Sequence, residues 1–360
     1  MQQGKVVAGG QVTLRTLPVG YGSTAVVLNV TVVDPAAAGW VTVWPCDVPK
    51  PVVSNLNYDA GETIPNQVTV AVGASHNVCL YTESSTHLIV DVMGTYERNG
   101  GVGLRPLSPV RILDTREGVG APIAKVLAGR TLTLQVAGRG GAPLTNVRAV
   151  TMNMTAVNGS GVGYLTAWPC DRPQPTTSNL NFVANQAVPN LVTTKLSAAG
   201  TLCIFTNVDV DILGDIAAVY LSGEQPGFVE VTPERILDSR LGIGAPTGKL
   251  VAAQVLRLQV AGSTASSFAA EPVAVTMNVT ATQAEGTGYI TVWPCDRTMP
   301  VVSNLNVVAG DNVPNLVSVS LAADGTVCML STTKTHLLAD VAGFTTRKTE
   351  LGFLILISEL

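Results

Sequence analysis

Three copies of an aromatic strand, each followed by asparagines, carry the residue types best suited to ligand binding. In Trp40-Val41-Thr42-Val43-Trp44, period-two alternation places the two tryptophans and Thr42 on one face. Aromatic rings cover the apolar face of a sugar, and asparagine both donates and accepts the hydrogen bonds that hydroxyl groups need. We therefore predict one polysaccharide site per repeat. The candidate residues are Trp44, Asn55, Asn57, Trp168, Asn179, Asn181, Trp293, Asn304 and Asn306.

The same residues have a structural alternative. The aromatic rings could pack in a core, and the asparagines could satisfy loop backbone groups. Solvent exposure discriminates between the two, since a binding platform requires accessible rings.

Charged residues repeat with equal regularity. Asp114 and Arg116, like Asp238 and Arg240, lie two residues apart and share a strand face. This spacing suits either recognition of a polar ligand or, as we predict, an ion pair that anchors a turn. A second aspartate lies inside an apolar strand of each repeat and needs hydrogen-bond partners or a metal. Calcium binding is the alternative to hydrogen bonding for these aspartates, and it requires six to eight oxygen ligands. The carboxylates available for it are Asp91, Asp215, Asp340, Asp47, Asp171 and Asp296.

No residue set predicts an enzyme. The histidines are His76, His87 and His336, and the last two have an aspartate four residues on. A serine hydrolase also needs a nucleophile on a sharp turn, and the chain has no Gly-x-Ser-x-Gly. We predict no catalytic residues, no metal and no cofactor. The alternative function is a secreted hydrolase, or an accessory module of an enzyme whose catalytic domain is absent.

These candidates belong to a repeat. Trp44-Pro45-Cys46-Asp47 recurs at Trp168 and at Trp293, at intervals of 124 and 125 residues, with Asn-x-Thr upstream and Ser-Asn-Leu-Asn downstream. A fixed period indicates tandem structural units. The predicted boundaries are 1–98, 99–222 and 223–348, followed by an apolar tail at 349–360.

Each unit contains two cysteines 33 residues apart: Cys46 and Cys79, Cys170 and Cys203, Cys295 and Cys328. We predict one disulfide per unit. Metal binding is the alternative, although two thiolates without nearby histidines do not complete a zinc site. Disulfides indicate an oxidising compartment, so the predicted location is extracellular or at the cell surface. The start of the chain does not resemble a signal peptide, and we expect a mature form or a fragment.

Strand-like segments fill the units. Val26–Val33, Thr151–Val157 and Val275–Thr282 alternate apolar residues with Asn or Thr, and turn residues recur every 8–12 positions. The predicted fold is all-β: three tandem antiparallel β-sandwich repeats of about 124 residues, jelly-roll-like, with one disulfide each.

The first unit lacks an opening motif. Units 2 and 3 begin with Arg111–Arg116 and Arg235–Arg240, whereas unit 1 begins at Lys5, which corresponds to Lys125. A missing strand exposes a sheet edge, and self-association through such edges is expected. The apolar tail is a candidate strand to cover that edge.

The ordered motifs resemble those of a repeated β-rich domain in actinobacterial exported and cell-wall-associated proteins. They run Arg-x-Leu-Asp-Thr-Arg, Asn-Val-Thr, Gly-Tyr-x-Thr-x-x-Pro, Ser-Asn-Leu-Asn, Pro-Asn-Leu-Val and Asp-Val-x-Gly-Phe, over residues 5–345. The resemblance implies an extracellular β-rich module and no known activity.

Composition limits the partners. Charged residues make up 13% of the chain and the net charge is −4, without a basic stripe, which argues against nucleic acid. No apolar run reaches the roughly 18 residues of a membrane span. We predict an extracellular, non-enzymatic structural or adhesive repeat protein that binds cell-wall or environmental polysaccharide.

Overall fold

The computed structural model describes residues 4–15, 23–74, 76–97, 102–223, 227–263, 272–346 and, as backbone, 352–354. Every regular element in these ranges is a β-strand. The predicted all-β class is confirmed. In the described part of the chain, no helix is long and apolar enough to span a membrane.

The third unit shows the complete architecture in eight strands. They are β16 (Gly227–Asp238), β17 (Val255–Gln259), β18 (Pro272–Thr282), β19 (Gly288–Pro294), β20 (Leu305–Val307), β21 (Val313–Ser320), β22 (Thr326–Ser331) and β23 (His336–Thr346). One sheet has the order β16-β23-β18-β21 and the other β17-β22-β19-β20. The first strand pairs with the last and the second with the seventh, all antiparallel, which is the jelly-roll topology.

The second unit repeats this arrangement. Its strands are β8 (Val102–Asp114), β9 (Arg130–Gln135), β10 (Val147–Val157), β11 (Gly163–Pro169), β12 (Leu180–Phe182), β13 (Val188–Lys195), β14 (Thr201–Thr206) and β15 (Asp211–Ser222). Its two sheets have the orders β8-β15-β10-β13 and β12-β11-β14-β9.

The first unit has seven strands. They are β1 (Gln11–Arg15), β2 (Ser23–Val33), β3 (Gly39–Pro45), β4 (Leu56–Tyr58), β5 (Thr63–Ala71), β6 (Asn77–Thr82) and β7 (His87–Glu97). The counterpart of β8 and β16 is missing among the described residues, and the unit's own strands in this sheet have the order β7-β2-β5. A short strand, β24 (Gly352–Leu354), pairs with β7 over Thr95–Glu97 and touches β8 at Val102. The rest of the predicted tail lies outside the described residues.

Each unit is closed by one disulfide. Each disulfide joins the turn that follows one strand (β3, β11 or β19) to the neighbouring strand (β6, β14 or β22), across 33 residues of sequence. The three bonds are Cys46–Cys79, Cys170–Cys203 and Cys295–Cys328. The predicted pairing is confirmed. The described residues contain no free cysteine.

The core of each unit lies between its two sheets. On β10, Met152 and Met154 are fully buried in this core, and Asn153 between them points to the opposite face. The alternation read from the sequence is therefore the inside–outside period of the sheet. The opposite face of the sheet that contains β10 is also covered, because the next unit packs on it.

The three units form a closed ring around a pseudo-threefold axis. The Asn29 side chain donates to the carbonyl of Ser178 at 2.9 Å, so unit 1 contacts unit 2. Asn153 donates to Ser303 at 2.7 Å, which joins unit 2 to unit 3. Asn278 donates to Ser54 at 2.7 Å and returns to unit 1. Strands β5, β13 and β21 contact one another at the centre. The asparagines of the Asn-x-Thr triplets are thus buried structural residues.

A second set of asparagines completes the ring at the axis. Asn190 donates to the side-chain oxygen of Asn29 at 3.1 Å and to the carbonyl of Asn179 at 2.6 Å. Its own oxygen accepts the Gln67 backbone N–H at 3.1 Å. The equivalent bonds are made by Asn66 and Asn315. All three asparagines are about 1% exposed, so the network has no access to water.

Candidate functional site

The tryptophans predicted as a sugar platform lie inside the protein. Trp44, Trp168 and Trp293 are 4%, 8% and 5% exposed. The segment after each Trp-Pro-Cys-Asp motif folds back over the outer face of the strand. In unit 1, Thr42 donates to the Val53 carbonyl at 2.7 Å and the Trp44 indole donates to the Val48 carbonyl at 3.2 Å. These three positions therefore offer no ring face to a ligand, which corrects the sequence-based expectation.

Three of the six predicted asparagines are also structural. Asn55, Asn179 and Asn304 are buried. Each side-chain oxygen accepts a backbone N–H of the adjacent strand at 2.7 Å, from Val43, Ala167 and Val292. They fix the returning segment against the sheet, as the structural alternative proposed.

The other three asparagines, Asn57, Asn181 and Asn306, are only partly buried. Each lies directly across the strand pair from an aromatic residue: Trp40 opposite Asn57, Tyr164 opposite Asn181 and Tyr289 opposite Asn306. Trp40 is 38% exposed and Tyr289 39%. The platform chemistry thus exists at the opposite end of the predicted strand. The covering segment bonds to Thr42 and Trp44 and leaves Trp40 exposed. Because all three residues share one strand face, alternation in the sequence could not distinguish the exposed ring from the covered one.

Two of these aromatic–asparagine pairs open into one cavity of about 1220 Å³ between the units. Trp40 and Asn57 line it from unit 1, and Tyr289 and Asn306 from unit 3. Arg240 also lines this cavity. The cavity wall therefore combines flat rings, amide groups and a partly exposed cation.

A second part of the cavity wall is acidic. Burial raises the pKa of Glu62 above its ordinary value, and the nearby negative charges of Asp59 and Asp311 act in the same direction. All three residues line the cavity. A ligand that neutralises or hydrogen-bonds these carboxylates would relieve their repulsion.

The repeated Arg and Asp motifs form ion pairs, as predicted. Arg111 binds both carboxylate oxygens of Asp215, at 2.9 and 3.1 Å, and also contacts Asp114. Arg116 binds Asp114 at 2.7 and 3.0 Å. Burial alone would raise the pKa of Asp114, but the bonds from Arg116 and the charges of both arginines hold it below its usual range. Unit 3 repeats the arrangement through Arg235, Arg240, Asp238 and Asp340.

Unit 1 breaks this pattern at Asp91. No ion pair or side-chain hydrogen bond to its carboxylate exists among the described residues, and burial raises its pKa. Its counterparts Asp215 and Asp340 are each held by an arginine of the opening strand, the strand that has no counterpart among the described residues of unit 1.

The histidine of unit 3 has a buried serine as its partner. The Ser239 hydroxyl lies 2.9 Å from Nδ1 of His336, but Ser239 is fully buried and accepts the backbone N–H of Leu337. In unit 2, Thr115 donates to Asp211 at 3.0 Å in the equivalent place. The pair therefore fastens the opening strand to the last strand.

The carboxylates considered for calcium are not grouped around one point. In the described ranges, no three His, Cys, Asp or Glu side chains are grouped to hold a metal ion. The aspartates of the Trp-Pro-Cys-Asp motifs each accept one backbone N–H. These bonds are Ala74 to Asp47, Ala198 to Asp171 and Ala323 to Asp296.

Comparison with known proteins adds similarity of a distant kind. No family model and no curated protein matches this chain. One similar structure, titled "Life in the extremes: atomic structure of Sulfolobus Turreted Icosahedral Virus", is 7% identical, with 96% of this chain and 86% of the other covered and a TM-score of 0.21. The tandem CBM22-1-CBM22-2 domain of Paenibacillus barcinonensis Xyn10C is 10% identical, with 67% and 99% covered and a TM-score of 0.20. At these scores neither carries an argument about function.

Proposed function

We propose that this protein is a non-enzymatic structural or adhesive module of the cell exterior that binds a cell-wall or environmental polysaccharide. The observation that supports it most is the cross-strand pairing of a partly exposed aromatic ring with an asparagine, repeated in all three units. The residues proposed to contact the sugar are Trp40, Tyr164 and Tyr289 with Asn57, Asn181 and Asn306.

The pair suits a sugar because its two members meet the two kinds of sugar surface. The ring covers the C–H face, and the amide beside it donates and accepts hydrogen bonds at the rim. In unit 1 and unit 3 the pairs share a cavity large enough for several sugar rings. Three weak sites on one closed ring would gain avidity on a polymer whose repeat spans them.

The extracellular location rests on the three disulfides. A chain that pairs all its cysteines within single units is suited to an oxidising compartment. The resemblance of its motifs to exported actinobacterial repeat domains points the same way. Secretion and cell-wall association are part of the proposal.

The test is binding of the purified chain to a glycan array and to insoluble cell-wall polysaccharides. The variant is Trp40→Ala, Tyr164→Ala and Tyr289→Ala together. We expect saturable binding by the native chain and a loss of about tenfold or more in affinity for the variant.

The matched control is Leu144→Ala with Ile123→Ala, two exposed apolar residues at 82% and 73% that do not line the cavity. The control is expected to bind like the native chain. Absence of binding by the native chain would leave a purely structural module, and equal losses in both variants would remove the aromatic pairs from the proposal.

A further inference from the structure

The outer strand of unit 1 is more exposed than its two counterparts. Leu88, Val90 and Val92 face the core and are only partly buried. The corresponding Ile212 and Ile216 of unit 2, and Leu337, Ala339 and Val341 of unit 3, are fully buried. On the other face, Ile89 is 51% exposed, whereas Leu213 and Leu338 are 5% exposed. The difference covers five consecutive residues.

The opening strands explain this difference. In unit 2, Leu113 pairs with Gly214 and Asp114 with Leu213; Leu113 is fully buried in the core. In unit 3, Leu237 pairs with Ala339 in the same way. In unit 1, β24 covers only Thr95–Glu97, and no described strand pairs with β7 between His87 and Gly94 on this side. Within the described part of the chain, an apolar groove therefore lies beside a strand edge that carries no pairing partner.

The groove also carries a negative charge at the position that an arginine occupies elsewhere. Arg111 pairs with Asp215 in the sheet register and binds its carboxylate twice; Arg235 does the same with Asp340. Asp91 stands at this position in unit 1 without an ion-pair partner in the described part of the chain. A partly buried carboxylate favours a cationic group that can bind it in two places.

We propose that the edge of β7 from Leu88 to Asp91 is a strand-acceptor site. Its occupant is an extended segment of a separate polypeptide with the pattern Arg-x-apolar-Asp-Ser/Thr-Arg. The segment adds one antiparallel strand, its first arginine binds Asp91, and its apolar residue two positions on enters the groove. Main-chain hydrogen bonds provide affinity, and the arginine and apolar residue provide selectivity, as in other cases of strand addition.

The groove sets a size limit for the entering side chain. Gly214 and Ala339 leave room for the leucines opposite them, whereas unit 1 has Val90 at this position. We expect a smaller apolar residue, valine or alanine, to fit at least as well as leucine, because Val90 already fills part of that space.

The experiment uses a fluorescent peptide with the sequence of residues 107–121, which stops short of the edge held by β24. Anisotropy titrations compare this peptide with an Arg111→Ala peptide and with a Leu113→Val peptide. The receptors are the full chain and a chain that ends at Leu354, which keeps β24. We expect one or both receptors to bind the native peptide. The Arg111→Ala change in the peptide should lower its affinity about tenfold or more.

The matched receptor variant is Asp91→Asn, which keeps shape and removes charge. This variant is expected to lower the affinity for the native peptide by a similar factor and to leave the affinity for the Arg111→Ala peptide unchanged. If the peptide instead replaced the opening strand of unit 2, its affinity would not change with the Asp91→Asn substitution, and this outcome would contradict the proposal. Equal affinity of both receptors for peptides with and without the arginine, or no binding by either receptor at millimolar peptide, would overturn the proposal.

Discussion

At the scale of single residues, one aspartate recurs in all three units, in two different settings of charge. Asp215 and Asp340 are almost fully buried, and each accepts two hydrogen bonds from an arginine. Asp91 occupies the same register position, and no arginine of the described ranges binds it. A buried carboxylate without a partner favours its protonated form, which is the cause of its raised pKa.

This contrast predicts opposite effects of one substitution. Asp91→Asn should raise the free energy of unfolding at pH 7 by about 1 kcal/mol or less, since it removes an unpaired charge that is partly screened by solvent. Asp215→Asn should lower it by about 3 kcal/mol or more, because Arg111 then loses the carboxylate that it binds twice and keeps only its contact with Asp114. Urea unfolding at pH 7 measures both.

The pH dependence follows from the direction of the Asp91 pKa. The folded pKa lies above the unfolded value, so the native state binds more protons between the two, and the penalty from Asp91 disappears as the pH falls through the folded pKa. The difference between Asp91→Asn and the native chain should therefore shrink from pH 7 toward pH 4. A difference that stays constant or grows would contradict this account.

At the scale of elements, the opening strand is what makes a unit complete. Through Arg111, Leu113 and Thr115 it contributes an ion pair, a core residue and a hydrogen bond to the last strand. Unit 1 keeps its disulfide and seven strands without it. β24 takes the place of residues 103–105 of this strand, since Phe353 pairs with Tyr96 as Leu104 pairs with Tyr220.

Removal of residues 350–360 should therefore expose the rest of the β7 edge. We expect the free energy of unfolding to fall by about 1 kcal/mol, because three cross-strand pairs are lost. Self-association should also increase, as measured by light scattering. A chain that ends at Leu354 is the control and should behave like the full chain. Unchanged stability and an unchanged oligomeric state in the longer deletion would show that β24 does not protect this edge.

At the scale of the whole molecule, the repeated asparagine motifs close the ring. Each unit donates a side-chain hydrogen bond to the next, and the third unit returns to the first. The axis asparagines add bonds that link two units at a time. Buried polar networks of this kind specify one arrangement when every member is satisfied.

One link can be removed to test this. Asn190→Ala would leave the Gln67 backbone N–H and the side-chain oxygen of Asn29 without their Asn190 partner in a dry interface, and we expect a loss of about 3 kcal/mol or more in stability. The control is Asn181→Ala, a partly exposed asparagine nearby in sequence, with an expected change below about 0.5 kcal/mol. Thermal unfolding of the two variants side by side gives the result. Similar midpoints would mean that the axis network adds nothing to stability.

Much of the local structure was readable from the chain. Alternation at Thr151–Val157 placed Met152 and Met154 inside, and equal spacing of Cys170 and Cys203 with the other pairs predicted the disulfides. The aromatic site was only half predicted. Asn57 stays a candidate, but Trp44 and Trp40 share a face, and which of them is covered depends on a segment that returns from several residues away.

The sequence by itself determined the number of units, their all-β class and their cysteine pairing, because strand alternation and a fixed repeat period are local properties of the chain. Only the tertiary structure decided that the units form a ring, that Trp44 is buried while Trp40 is open, and that Asp91 has no arginine beside it in the part of the chain that the structure describes. These facts depend on contacts between residues up to 250 positions apart. Periodicity assigns a residue to a face, but it does not identify the unit or segment that packs against that face.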